Sequence, residues 1–582
     1  VTNRWINVVL GVVVVAGLIG VAIYEQPRRA EERAELLGEE VDVVEGEIDA
    51  DLEPVRPSDE EAGDGVDEGD GEEDAPAETT SSGDTTYGVS AGHPLAVDVG
   101  MDVLEDGGNA MDAAVAASYA LGVVEPFGSG LGGGGALVRH EPGEEPQAYD
   151  YREIAPQSGE IPASDIGVPG FAAGMAHVHE AHGTGDLERL IEPAIALAEQ
   201  GIEVDDYLAQ RLEDAAPRLP INRLPRMFPE GEPLESGDAL VQPEHAEALQ
   251  RVRDEGPEAI HGGEIGERVA EEVSGLELGD FEPYEVEEVP VARGSFAGYE
   301  VLAGGPPVSG PPLVQQLQIS EALGVEDLDP EGAAYHHAVA QAWRSAEEDR
   351  TVFVSDPAFE DVPLEELLDT EYTDEKAAAI PDDGFVEVDE ETGTTSPESE
   401  TTHLVVVDPD GTMVSVTNTL SNFFGSGLQV EGFFLNDQLK NFSRDPESIN
   451  SVEPGKRPRS FITPVIVADG DEPLLGLGSP GGRRIPSMLA QVLIRWAHHD
   501  ETLAEATEAP RFHLEGRELE MEESPSGDLE DGLVSRGYEI VDDVPFTEYF
   551  GAVQALSRDP GTGDVSGVAD DRRTGSWRAV GD

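Results

Sequence analysis

An acidic excess sets the first limit on what this chain can become: its 582 residues hold 123 Asp and Glu against 34 Lys and Arg, a formal charge of −89. Self-repulsion on that scale opposes compaction in dilute buffer and is relieved when salt shortens the Debye length, to about 3 Å at 1 M. The chain is nevertheless not a disordered polyanion, because 38% of its residues are hydrophobic, enough for a sizeable core. The expected surface is therefore one adapted to very high salt. The same excess excludes nucleic-acid binding, which needs a basic surface to meet phosphates, and docking on anionic lipid headgroups. The sequence contains no cysteine. Disulfides, thiolate metal sites and a cysteine nucleophile are excluded, and any covalent chemistry falls to Ser, Thr, Lys or a carboxylate.

The charge is unevenly spread, and its gaps mark the organisation. Residues 5–24 carry none, and at about 1.5 Å each they span roughly the 30 Å of a bilayer core, with Trp5 and Tyr24 as interfacial anchors. No small-residue cleavage site follows, so residues 1–30 are expected to be an uncleaved transmembrane anchor. Arg28, Arg29 and Arg33 follow the span and only Arg4 precedes it, a count that by itself puts the C-terminal side inside. Residues 31–85 are rich in Glu, Asp, Gly and Pro and read as a disordered acidic stalk. A second acidic, turn-rich break at 381–400 divides the remainder, giving segments 86–400 and 401–582.

Within these segments the patterns alternate. Residues 111–121, 187–200, 333–348 and 485–496 read as helices, the first preceded by the turn residues Gly107, Gly108 and Asn109. The β-branched runs 404–407 and 413–416, joined by Asp408-Pro409-Asp410-Gly411, predict a hairpin, and 462–467 predicts a third strand. Strands bunched after residue 400 with helices before and after imply an α+β fold with a sheet-rich core. The glycine-rich run 128–135 lies between a helix and a strand, the reverse of a dinucleotide-binding loop, and reads as close backbone approach. Gly481 and Gly482, just before a helix, suit an anion nest or oxyanion hole. His336 and His337 are adjacent and diverge on a helix. No metal-ligand spacing stands out, and neither a catalytic metal nor a cofactor is expected.

A Thr pair entering a strand after an acidic linker is, alone, only a strand start. Thr401-Thr402-His403 does not stand alone. Gly107-Gly108-Asn109-Ala110-Met111-Asp112, Ser129-Gly130-Leu131-Gly132-Gly133-Gly134, Asp150-Tyr151-Arg152-Glu153, Leu435-Asn436-Asp437-Gln438, Lys456-Arg457-Pro458 and Gly478-Ser479-Pro480-Gly481-Gly482 accompany it in order. Together they resemble the γ-glutamyltransferase (γ-glutamyltranspeptidase, glutathione hydrolase) family from about residue 87 to the C-terminus.

The resemblance implies an N-terminal nucleophile hydrolase, a four-layer αββα sandwich made as one chain that cuts itself between Glu400 and Thr401 into a large and a small segment that stay together as a heterodimer. It assigns Thr401 as nucleophile, Thr419 as the residue that orients it, and Gly481 and Gly482 as the oxyanion hole. It places Arg152 on the donor's α-carboxylate, Ser421 at a position that family members fill with Asn or Ser, Gln438 near the donor's α-amine, and Ser460 on the carboxylate. The implied partners are a small γ-glutamyl donor and an amino-acid, peptide or water acceptor, with the catalytic portion outside the cell as for exported relatives.

Two positions depart from the family. Asn441 stands where an Asp pairs with the donor's α-ammonium, and Phe461 stands where a second Ser is expected. Asp437, where a second Asn is usual, is a candidate to restore the missing charge. The stretch 442–456 is short, as in members lacking a lid loop. These departures leave open a glutaryl-type, cephalosporin-acylase-like amidase and, with the machinery unused, a surface-anchored binding protein.

Overall fold

In the computed structural model the described residues are 86–388, 400–542 and 547–580. The expected anchor and stalk, and 389–399 of the acidic break, lie outside them. No helix among the described residues is long and apolar enough to cross a membrane.

The strands that build the core are β1 (Tyr87–Ala91), β2 (Gly134–His140), β3 (Gln147–Asp150), β4 (Glu287–Val289), β5 (Ala292–Phe296), β6 (Tyr299–Ala303), β7 (Glu400–Val407), β8 (Met413–Ser421), β9 (Val465–Asp469), β10 (Glu472–Gly478), β11 (Gln554–Arg558), β12 (Val565–Ala569) and β13 (Ser576–Val580). They form two antiparallel sheets, ordered β13-β1-β7-β8-β2-β3-β4 and β12-β11-β10-β9-β6-β5. Val138, Val405, Val407 and Met413 of the first sheet meet Leu302, Ile466, Ala468 and Leu556 of the second in a shared inner core.

Helices cover both outer faces. On the first sheet, α1 (Pro94–Glu105), α2 (Ala110–Val124) and α3 (Leu187–Gln200) pack in one apolar cluster with Leu404, Val406, Val414 and Val416. On the second, α4 (Gly310–Ala322), α5 (Ala333–Phe353) and α6 (Ile485–His498) pack with Val301, Val465, Val467 and Leu475. The result is helix, sheet, sheet, helix. It explains why Leu404-Val405-Val406-Val407 is unbroken rather than alternating: side chains point alternately to the two faces, and both faces of β7 are covered.

The predicted hairpin is β7–β8. Its turn is held by Asp408, whose Oδ1 accepts from the amides of Asp410 (3.1 Å) and Thr412 (2.9 Å) and whose Oδ2 accepts from Ala110 N (3.0 Å) at the start of α2. Gly411 follows with φ +84°, a conformation that favours glycine. The strand expected at 462–467 begins only at Val465, because Pro464 has no N–H for a ladder; Ile462 and Pro464 instead accept from Ser309 N and Gly304 N.

Candidate active site

The break before residue 400 delivers the chain into the middle of the first sheet. Thr401 lies directly opposite Thr419 across the β7–β8 ladder, and its Oγ1 donates to Thr419 Oγ1 at 3.2 Å. Thr419 Oγ1 also accepts from Ser421 N at 2.9 Å. The register slips between Thr419 and Ser421, and Ser421 sits at φ +82°, the kind of local irregularity that re-aims a strand end. Side-chain alternation sends Thr402 to the opposite face of β7 and leaves His403 on the face of Thr401, one step further along the strand. Thr402 donates to Glu125 at 2.5 Å, and His403, buried under Gly478, contacts Thr417. Burial pushes the His403 imidazole down to about 3, so it is neutral at working pH.

The glycine-rich run is the backbone approach its composition implied. A Cβ on Gly133 would lie 2.3 Å from the carbonyl oxygen of Thr419, and one on Gly135 2.5 Å from Asn418 Oδ1. β2 can therefore lie against the functional end of β8 only with glycine there.

Thr401 and Thr419 line a cleft. Of the residues expected in the site, Ser421, Gln438, Asn441, Ser460 and Gly482 also line it. Gly481 directly precedes, at φ +131°. Among the described residues neither the Gly481 nor the Gly482 amide donates to a protein acceptor, as an oxyanion hole requires. Phe461 forms part of the wall and lies against the Arg350 guanidinium, 3.6 Å from ring centroid to Cζ.

Arg152 and Asp437 do not line the cleft. Arg152 is fully buried, with Nε and Nη2 on Asp150 and Nη1 on the Pro458 carbonyl at 2.7 Å. The guanidinium expected on the donor's carboxylate is thus held by the protein itself. Asp437 is neither a surface acid nor a cleft acid. It is 7% exposed, accepts from Asn422 N and Nδ2 (3.0 and 2.6 Å), and pairs with Lys440 at 3.2 Å.

Two cations not anticipated from sequence, Lys440 and Arg483, do line the cleft, and among the described residues no carboxylate does. Arg483 is neutralised by Glu515 and Glu520. Lys440 was legible in one respect, since its i,i+3 spacing from Asp437 in a short 3₁₀ turn makes them neighbours.

Glu153, beside Arg152, is buried with both carboxyl oxygens unbonded among the described residues. Burial, only partly offset by its own backbone and by Arg152, raises its pKa to about 8. The folded protein therefore holds this proton after the unfolded chain has lost it. Stability attached to Glu153 is fully present below pH about 4.5 and declines as pH rises to about 8, by at most about 1.4 kcal/mol per pH unit. Glu153→Gln is expected to remove that slope in chemical denaturation measured from pH 5 to 8; an unchanged slope would show that another group titrates.

Comparison with known proteins adds to this geometry. The Gamma-glutamyltranspeptidase family model matches residues 96–580. The Capsule biosynthesis protein CapD proenzyme of Bacillus anthracis is 38% identical over 498 residues, covering 85% of this chain and 91% of that protein. The Glutathione hydrolase proenzyme of Bacillus subtilis (strain 168) is 32% identical over 540 residues, covering 84% and 90%. Among solved structures, cephalosporin acylase from Bacillus halodurans aligns with a TM-score of 0.78 at 26% identity, covering 88% of this chain and 99% of that one.

Proposed function

This chain belongs to the γ-glutamyltranspeptidase family, and from that premise we propose that it cuts itself before Thr401 and then moves γ-glutamyl groups through that residue. It is an enzyme of the γ-glutamyl hydrolase and transferase class. The observation that carries the assignment of Thr401 is its hydroxyl's contact with Thr419, 3.2 Å, at the cleft.

Maturation begins when Thr401 Oγ1 attacks the Glu400 carbonyl. The peptide C–N bond breaks, an ester forms, and the Thr401 nitrogen leaves as an amine. Water then hydrolyses the ester, leaving a carboxylate on Glu400 and restoring the hydroxyl. The freed α-amine, with an ordinary pKa near ~7.7–8.0, serves as the base the weak hydroxyl needs. In turnover Thr401 Oγ1 attacks the donor's γ-amide carbonyl while the α-amine takes its proton. Charge on the carbonyl oxygen is met by Gly481 and Gly482, each such donor being worth on the order of 2.7–4 kcal/mol. Collapse expels the amine, which takes the proton, and water or an amino group then releases the acyl ester. Purified two-chain protein is expected to release aniline from a γ-glutamyl anilide; a correctly cut protein that releases none would overturn this reading. Asn441 and the lack of a carboxylate among the described residues of the cleft favour a second reading, an amidase for glutaryl-type acyl groups.

The anchor and stalk of residues 1–85 are proposed to hold the catalytic segments outside the cell. Protease added to intact cells should then release them, and full protection would place them inside, as the arginine count has it. The −89 charge supports adaptation to salt: activity and melting temperature are expected to rise toward molar salt as screening removes self-repulsion. Full activity and unchanged melting in low-salt buffer would defeat that.

A further inference from the structure

We propose that Glu125 is a positioning residue for the mature nucleophile: through Thr402 it fixes the chain end that the cut creates at Thr401. The proposal rests on the reading of Thr401 as the self-released acyl-transfer nucleophile, and adds to it a residue that touches neither donor nor acceptor.

The turn that ends α2 reaches both strands of the hairpin. Glu125, 3% exposed, accepts from the hydroxyl of Thr402, one residue after Thr401 on β7, at 2.5 Å. The Gly128 carbonyl accepts at 3.0 Å from the amide of Leu420, one residue after Thr419 on β8. Because β7 and β8 are antiparallel, Thr402 and Leu420 lie on opposite sides of the Thr401–Thr419 pair. The turn therefore grips the hairpin on both sides of the 3.2 Å contact between the two hydroxyls. It is braced within itself, Gly128 N donating to the Glu125 carbonyl at 2.9 Å. It also lies against the nucleophile's backbone: a Cβ on Gly128 would stand 3.6 Å from the carbonyl carbon and oxygen of Thr401. Gly92, directly after β1, closes over the Glu125–Thr402 pair. A Cβ there would stand 2.8 and 3.0 Å from the two carboxyl oxygens and 3.1 Å from Thr402 Oγ1.

The need for such a grip arises with the cut. In the uncut chain Glu400 continues β7 and pairs with Ser421, so Thr401 is held from both directions. Once the Glu400–Thr401 bond is broken Thr401 is a terminus, and termini fray unless tied down. Its own side chain must stay free to react. The next one, Thr402, points to the opposite face of β7 and ends on Glu125.

Three substitutions attack the contact from different sides. Glu125→Leu removes the acceptor, Thr402→Val removes the donor, and Gly92→Ala drives a methyl group into the pair. The full chain is followed in high salt for self-cleavage, for turnover of γ-glutamyl and glutaryl anilides, and for hydrogen exchange at the Thr402 and His403 amides. Each variant should still be cut. The cut form should lose at least tenfold in kcat on the better anilide with KM within about threefold, because the contact sets where Thr401 stands and not how the cleft binds. The two amides should exchange at least tenfold faster than in cut wild type. Glu125→Gln and Thr402→Ser, which keep an acceptor and a donor, should recover kcat to within about threefold of wild type. Glu125→Leu combined with Thr402→Val should be no worse than either alone. A contact that merely supports the fold would lower the melting temperature without this split or this rescue. Thr402→Val and Gly92→Ala serve if Glu125→Leu fails to fold. Unchanged kcat and exchange in folded, cut variants overturn the proposal, as does folded protein left uncut, which would assign the contact to maturation. Wild-type protein that is cut but inert to both anilides counts against the transfer chemistry, and exchange at the two amides then decides the role of Glu125 by itself.

Discussion

Thr401→Ala is expected to leave the protein as one uncut chain and to lower turnover by a factor of about 10⁴ or more. Both losses have one cause. On the proposed reading, the hydroxyl that attacks the Glu400 carbonyl is the hydroxyl that later attacks the donor, and the base for the second attack is the amine released by the first. Thr419→Val should be milder, because it removes the oxygen that positions Thr401 Oγ1 from 3.2 Å away but leaves the nucleophile in place. The checks are a denaturing gel, sequencing of the smaller chain's N-terminus, and an anilide assay. A terminus at Thr395, in the neighbouring Thr394-Thr395 pair, would move the site and sink the assignment. Thr401→Ser should still cut and turn over.

Asn441→Asp is expected to shift the preference between γ-glutamyl and glutaryl anilides toward γ-glutamyl by about 10–150-fold. A hydrogen bond to a charged group contributes about 1.5–3 kcal/mol, and each 1.4 kcal/mol is a factor of ten. Asn441 lines the cleft, where Asp would add a carboxylate that no other described lining residue supplies. It would favour a donor ammonium and oppose a group that lacks one. Asp437 is the rival source of that charge. Its two oxygens are held by Asn422 and Lys440, so Asp437→Asn should act chiefly by loosening Lys440. If Asp437→Asn proved the damaging change and Asn441→Asp did little, Asp437 would be supplying the charge after all. If neither moved the ratio, the amine would not be recognised here.

The parts of this protein that follow local rules are legible in its sequence. The hairpin that carries Thr401 is written in two β-branched runs and an Asp-Pro-Asp-Gly turn, and the helix expected at 187–200 is Leu187–Gln200. The Thr401–Thr419 contact needs only that hairpin's register, which the turn fixes. What escapes such a reading is decided by partners far away along the chain. Arg152 is held by Asp150, two residues before it, and by the carbonyl of Pro458, 306 residues on; nothing near Arg152 announces the second bond. Glu153 reads as one more acid in an acidic chain, and only the packing around it strips it of partners. Phe461 is legible as a missing hydroxyl but not as the plate against which Arg350 lies.

The interleaving of the two sheets gives the cut a lasting consequence. Residues on either side of the Glu400–Thr401 bond hydrogen-bond to each other along β1–β7, β1–β13, β8–β2 and β9–β6, so the two pieces separate only by unravelling both sheets. Before the cut, folding is a unimolecular event. After it, the native state is an association, and recovery from denaturation becomes second order in protein and dependent on concentration. The mature enzyme therefore has a memory of having been one chain: its persistence is governed by how slowly it opens rather than by how readily it re-forms. The same molecule with Thr401→Ala should regain its fold on dilution from denaturant under conditions in which the two-chain form, at low concentration, does not.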